Sequence, residues 1–130
     1  MYDRVQHRGF GLSFGDSSFV VAGPGRVATA VNPRDARFVT TRSQSSLRHG
    51  KPFVFDTNPG DVLLVFTDGV DECNYRSPAT SIQPHHLAQL VDLGNGDPLN
   101  TCNRIVAAAL EGVDGHPGGE DNIALICATA

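Results

Sequence analysis

DVLLVFTDGVDE, residues 61–72, runs an apolar segment straight into a cluster of acids. Val62, Leu64 and Phe66 point one way along it, Leu63 and Val65 the other. Strand side chains alternate between faces, so a strand apolar on both belongs inside a layered structure, covered on two sides. The apolar run stops at Thr67, Asp68 and Gly69, and Asp71 and Glu72 follow. A carboxylate at the point where a buried strand leaves the core has two readings. It starts a turn, or it is held there to grip a metal ion.

The rest of the chain arranges itself around this strand. NPGD, 58–61, places Pro and Gly where a tight turn wants them, and PFVFD, 52–56, reads as a strand before it. FGLSFGDSSFVVA, 10–22, reads as two short strands hinged at Gly15-Asp16, or as one bent strand. GPG, 23–25, is a turn, and RVATAV, 26–31, and RFVTT, 37–41, are strand candidates. RSQSSLRHGK, 42–51, is polar and aperiodic, as a surface loop is. After the acids, PHHLAQLVDL, 84–93, suits a helix with Pro84 in its first turn and Leu87, Leu90 and Val91 on one face. GNGDP, 94–98, breaks it. A second helix is expected near 99–112, capped by Asn100 or Thr101, with Ile105, Val106, Ala109 and Leu110 inward. DGHPGGE, 114–120, is a glycine-rich loop, and NIALICATA, 122–130, closes the chain as an apolar strand. No repeat, low-complexity segment or linker divides it.

Composition bounds the function. A chain of 130 residues, 40% hydrophobic, suits one domain with a single core. The formal charge of −4 argues against nucleic-acid or anionic-membrane binding, which need a basic patch. No apolar run reaches transmembrane length, and the N-terminus has no signal-peptide pattern. Cys73, Cys102 and Cys127 form no CxxC pair and are odd in number. They read as reduced thiols of a cytoplasmic protein rather than a zinc site. His85 and His86 open a helix and are expected to face solvent. His7, His49 and His116 lie in polar or glycine-rich segments, and Arg42, Arg48 and Lys51 in the polar loop read as solvated.

The chemistry gathers at two places, Asp68-Gly69 and Asp121-Asn122. If strands 61–67 and 122–130 lie side by side and antiparallel, the end of one meets the start of the other, and Asp68 and Asp121 converge at one rim. Two close carboxylates repel unless a cation or a shared proton lies between them. Hard oxygen donors favour Mg²⁺ or Mn²⁺, with water completing the octahedron.

FTDGVDE after GDVLLV, and GGEDNIALI near the C-terminus, resemble two late acidic motifs of the metal-dependent serine/threonine protein phosphatases, the type 2C family and its sporulation-phosphatase relatives. GLSFGDSSFVV is similar to the family's strand bearing a Gly-Asp-Ser turn, and the three motifs agree in order. The resemblance implies an α+β fold of antiparallel β-sheets with flanking helices, part of an αββα sandwich. It implies hydrolysis of phosphoserine or phosphothreonine in a phosphorylated protein substrate, by water activated at a Mg²⁺ or Mn²⁺ centre. Asp68 and Asp121 match carboxylate ligands. Gly69 would let the backbone turn away tightly, and Asn122 would steady Asp121 by a hydrogen bond. Asp16 is read as structural.

The chain also departs from that family. The family's early acid, and its strand ending in Asp-Gly and often His-Gly-Gly, are missing upstream of Gly11. DGHPGG, 114–119, has that composition, but it follows no apolar strand and abuts the EDN motif, so Asp114 is not taken as a ligand. Residues 1–130 are therefore expected to form one partial phosphatase-like domain, the later half of the whole. A half-sandwich leaves sheet surface open to water. That surface invites a longer chain, self-association or a partner to cover it. The alternative is a catalytically silent domain of the same architecture, used for binding or regulation. A third reading is an unrelated small α+β protein whose motif matches are accidental.

Overall fold

A computed structural model describes residues 1–26, 28–32 and 50–130. The strand expected at 37–41, and Arg42, Arg48 and His49 of the polar loop, lie outside the described residues. The described chain runs β1 (Tyr2–Asp3), β2 (Arg8–Ser13), β3 (Ser18–Ala22), β4 (Thr29–Ala30), β5 (Lys51–Asp56), β6 (Val62–Phe66), α1 (Asp68–Asp71), α2 (Pro84–Gly94), α3 (Pro98–Glu111) and β7 (Leu125–Thr129). A single 3-10 turn, Pro78–Thr80, lies between α1 and α2. The fold is α+β, with two antiparallel sheets ordered β1-β2-β5 and β4-β3-β6-β7.

The segment 10–22 resolves into two strands rather than one bent strand, and each joins a different sheet. The crossing occurs at Gly15, which adopts φ 78°. β2 pairs with β5, Gly9 opposite Phe55 and Gly11 opposite Phe53. Each glycine lies under the ring of its partner, where a Cβ would collide with it. The rings are thereby pressed inward to meet Phe19 of β3, at centroid distances of 5.3 Å for Phe53 and 4.7 Å for Phe55. These aromatic contacts join the two sheets.

The opposite face of the four-stranded sheet carries the main core. Val20, Ala22, Val62, Leu64 and Phe66 pack there against Val70, Ile82, Leu87, Val91, Ile105 and Ala109 from the helical side. Helices cover one face of this sheet and the three-stranded sheet covers part of the other. The expectation that β6 is enclosed on both sides holds for Val62, Leu64 and Phe66 only. Val65 is 36% exposed and its neighbour Ile126 on β7 is 66% exposed. The outer face of the three-stranded sheet is also open, with Phe10, Leu12 and Val54 each more than half exposed.

Helix ends differ from the sequence reading in one respect. α3 is capped by Asp97, whose Oδ1 accepts from the N–H groups of Leu99 and Asn100 at 2.9 and 3.4 Å. Neither Asn100 nor Thr101 is the cap. Thr101 is wholly buried one turn in, and its hydroxyl donates to the Asp97 carbonyl. Pro98 at the first helical position moves the start upstream, because it needs no hydrogen-bond acceptor there.

Candidate functional site

Strands β6 and β7 are antiparallel neighbours, with Phe66 opposite Leu125 and Val62 opposite Thr129. The chain beyond Phe66 therefore meets the chain before Leu125. Thr67 joins them. Its backbone N–H donates to the Ala124 carbonyl at 3.1 Å, its hydroxyl donates to the Asn122 carbonyl at 3.2 Å, and the same oxygen accepts from Ala124 N–H at 3.1 Å. Because the Thr67 side chain occupies these backbone groups, the strand expected from residue 122 starts only at Leu125.

Asp68 opens a single helical turn, with Thr67 as its N-cap, instead of a simple loop. Its half-buried carboxylate makes no hydrogen bond among the described residues. Asp121 is also half-buried, and its Oδ1 accepts from the backbone N–H of Asn122 at 2.7 Å. Asn122 was expected to support Asp121 through its side chain, but the bond comes from its main chain. Gly69 is buried, and it has no Cβ because the chain next to Asp121 passes directly over it. A Cβ there would lie 2.2 Å from the Asn122 carbonyl oxygen. The reason for this glycine is close approach, not the tight reversal that its sequence context suggested. Gly69→Ala is expected to cost about 2 kcal/mol, since the Asn122 backbone must move aside; a lowered urea midpoint measures it.

Two further contacts locate the rim. Ser18, from the Gly-Asp-Ser segment, pairs with Phe66 and donates through its hydroxyl to Asp71 Oδ2 at 3.2 Å. The glycine-rich loop folds back on the end of α3, Gly119 N–H donating to the Ala109 carbonyl at 2.8 Å. Glu120 N–H then donates to the Cys73 carbonyl at 3.1 Å, just past the end of α1, and the next two residues pass over Gly69. All three sequence motifs thus border one region. Thr67 and Ser18 carried no signal in the sequence beyond lying inside the motifs.

Asp114 and His86 lie elsewhere. His86 does not face solvent: it is only 8% exposed. Its Nδ1 accepts from Gln83 N–H at 3.0 Å, closing a capping box at the start of α2. Nε2 therefore carries the proton and donates to Asp114 Oδ2 at 2.8 Å. His85, His86 and Asp114 bring three ligand atoms within 4.8 Å of one another. A metal on His86 Nε2 would need the proton on Nδ1, where the Gln83 N–H already points. The pair is better described as a tether between α2 and the glycine-rich loop.

This architecture, two antiparallel sheets with helices on one side, is the fold of a phosphatase domain. It is similar to the solved "Structure of the Phosphatase Domain of the Cell Fate Determinant SpoIIE from Bacillus subtilis", with TM-score 0.64, 14% identity, and coverage of 99% of this chain and 55% of that one. The chain thus spans about half the length of that solved chain. The family model for Stage II sporulation protein E (SpoIIE) matches residues 2–130, and the chain belongs to that family. No curated protein matches the sequence.

Proposed function

We propose that this chain carries the later half of a metal-dependent phosphoprotein phosphatase domain acting on phosphoserine or phosphothreonine. The observation that carries the reading is the passage of the Asp121-Asn122 backbone over Gly69, beside Asp68. Asp68 and Asp121 would hold Mg²⁺ or Mn²⁺. The donor set fits such an ion: both groups are hard oxygens, and the Asp68 carboxylate is engaged by no other described residue. A bound divalent ion would supply activation of water and neutralisation of phosphoryl charge. The chain's own contribution is positional. Thr67 fastens the two backbone segments, Gly69 permits their approach, and the Asn122 N–H orients one oxygen of Asp121.

The open face bearing Phe10, Leu12 and Val54 supports the view that residues 1–130 form one incomplete domain. An early half in a longer chain, a second copy or a partner would cover it. The formal charge of −4 disfavours nucleic acid and anionic membrane as partners; the substrate of this reading is a phosphorylated protein, and its role is signalling in the cytoplasm. Among the described residues no helix is long and apolar enough to cross a membrane. The second reading is a silent domain of the same architecture, used for binding or regulation.

Hydrolysis of p-nitrophenyl phosphate and of a phosphoserine peptide, with and without Mn²⁺, separates the two. Mn²⁺-dependent turnover is expected once the early half is supplied. A completed domain that stays inactive at every Mn²⁺ concentration, and binds no Mn²⁺ in a direct titration, would establish the silent reading instead.

A further inference from the structure

Cys102 on α3 and Cys127 on β7 bring their sulfurs to 3.0 Å, although both are free thiols. A disulfide needs about 1 Å less than this separation. Both residues are half-buried, so the pair lies at a margin where a small oxidant can arrive, whereas Cys73 is wholly buried. Two thiols also suggest a metal site, but the described residues place no third ligand beside them: their one group of three potential ligands is the His85, His86 and Asp114 cluster.

We propose that Cys102 and Cys127 are a redox modification site, closing reversibly into an intramolecular disulfide that fastens α3 to the last strand. This inference does not depend on the phosphatase reading. The electron acceptor is a hydroperoxide. Burial holds the Cys127 thiol protonated well above its usual range, so Cys102 is the thiol oxidised first. Its thiolate attacks hydrogen peroxide and takes one oxygen, giving a sulfenic acid as the O–O bond breaks; the hydroxide released takes up the proton that Cys102 lost and leaves as water. The Cys127 sulfur then attacks Cys102 Sγ. The S–O bond breaks, and hydroxide departs with the Cys127 proton as a second water. Two electrons pass from the sulfur pair to the peroxide, and a dithiol returns them by exchange.

The position gives the bond a consequence. Between Cys102 and Cys127 the chain contains the glycine-rich loop and Asp121. Linking the two ends restrains that whole segment in the folded and the unfolded states alike.

The full chain, treated with hydrogen peroxide and then with N-ethylmaleimide, tests the proposal. Non-reducing peptide mapping is expected to show Cys102 and Cys127 in one linked pair, with a mass loss of about 2 Da reversed by dithiothreitol. Cys73 is expected to remain alkylatable only after denaturation. The oxidised chain should melt about 10 °C higher than the reduced one. Cys102→Ser and Cys127→Ser should each abolish the difference. Separate alkylation of both thiols after oxidation overturns the proposal, and so does a link through Cys73 or between chains. Because mapping uses the unsubstituted chain, a variant that fails to fold does not spoil the test. A correct link with an unchanged or lowered melting temperature overturns the claim that the native fold accepts the bond.

Discussion

Asp68→Asn is expected to lower Mn²⁺-dependent phosphate ester hydrolysis by the completed domain at least about 100-fold. Asn keeps the shape of the side chain and removes the charge. A divalent ion contributes several kcal/mol to a phosphoryl-transfer transition state, and each 1.4 kcal/mol is about tenfold in rate. Asp68 lies at the first position of α1, half-buried, and no described residue depends on its carboxylate for a hydrogen bond. Stability should therefore stay within about 0.5 kcal/mol of the parent, as for substitutions that break no structural contact. Asp121→Asn should cause a loss of similar size, since an amide oxygen still accepts from the Asn122 N–H but carries no charge. If both groups hold one ion, the double variant should be scarcely worse than either single variant. Losses that multiply would mean that the two residues act separately. Full activity in Asp68→Asn would remove this residue from the chemistry.

Asp61→Ala is expected to cost about 3 kcal/mol of stability, read from urea unfolding. Asp61 opens the GDVLLV strand and is 1% exposed. One carboxylate oxygen accepts from Asn58 N–H at 2.7 Å, and the other binds the Arg26 guanidinium. Its own carbonyl accepts from Ala130 N–H at 2.9 Å, tying the turn to the end of β7. Alanine leaves the Asn58 N–H without its acceptor and takes a counter-charge from Arg26. The Arg26 side chain is 49% exposed, so it can turn to water, and most of the cost falls on the turn. Asp61→Asn retains an acceptor and is expected to cost about 1 kcal/mol. Equal losses in the two variants would show that the ion pair, not the turn, holds this corner.

Elements with a strong local signal were legible in the sequence. The apolar stripe of α2, the proline that opens it, Ile105 and Ala109 of α3 and the inward face of β6 follow from spacing alone, because side-chain direction has a fixed period in each backbone form; Leu110 and Val65, expected to be covered, are exposed. The Thr67, Asp68 and Gly69 run and the Asp121-Asn122 step were visible as acids at the ends of apolar strands. What lay beyond local spacing was the identity of each partner. His86 stands at a helix start in sequence and inside the molecule in space, because Asp114 of a distant loop accepts its Nε2–H and Gln83 fills its other nitrogen. Asp97 outranked Asn100 as the cap once Pro98 fixed where the helix starts.

The amino-acid order by itself therefore determined α2, α3 and the strands β2, β3, β5, β6 and β7 to within a few residues, and which carboxylates stand where strands leave the core; β1 and the helical turn at Asp68 were not among them. Only the tertiary structure decided that β2 and β3 part into different sheets at Gly15. It alone placed the Asn122 backbone against Gly69 and the Cys102 and Cys127 sulfurs side by side. The physical reason is range. Periodicity records how a side chain points relative to its neighbours in the chain, whereas sheet membership, close backbone approach and thiol pairing depend on segments that meet only when the whole core forms.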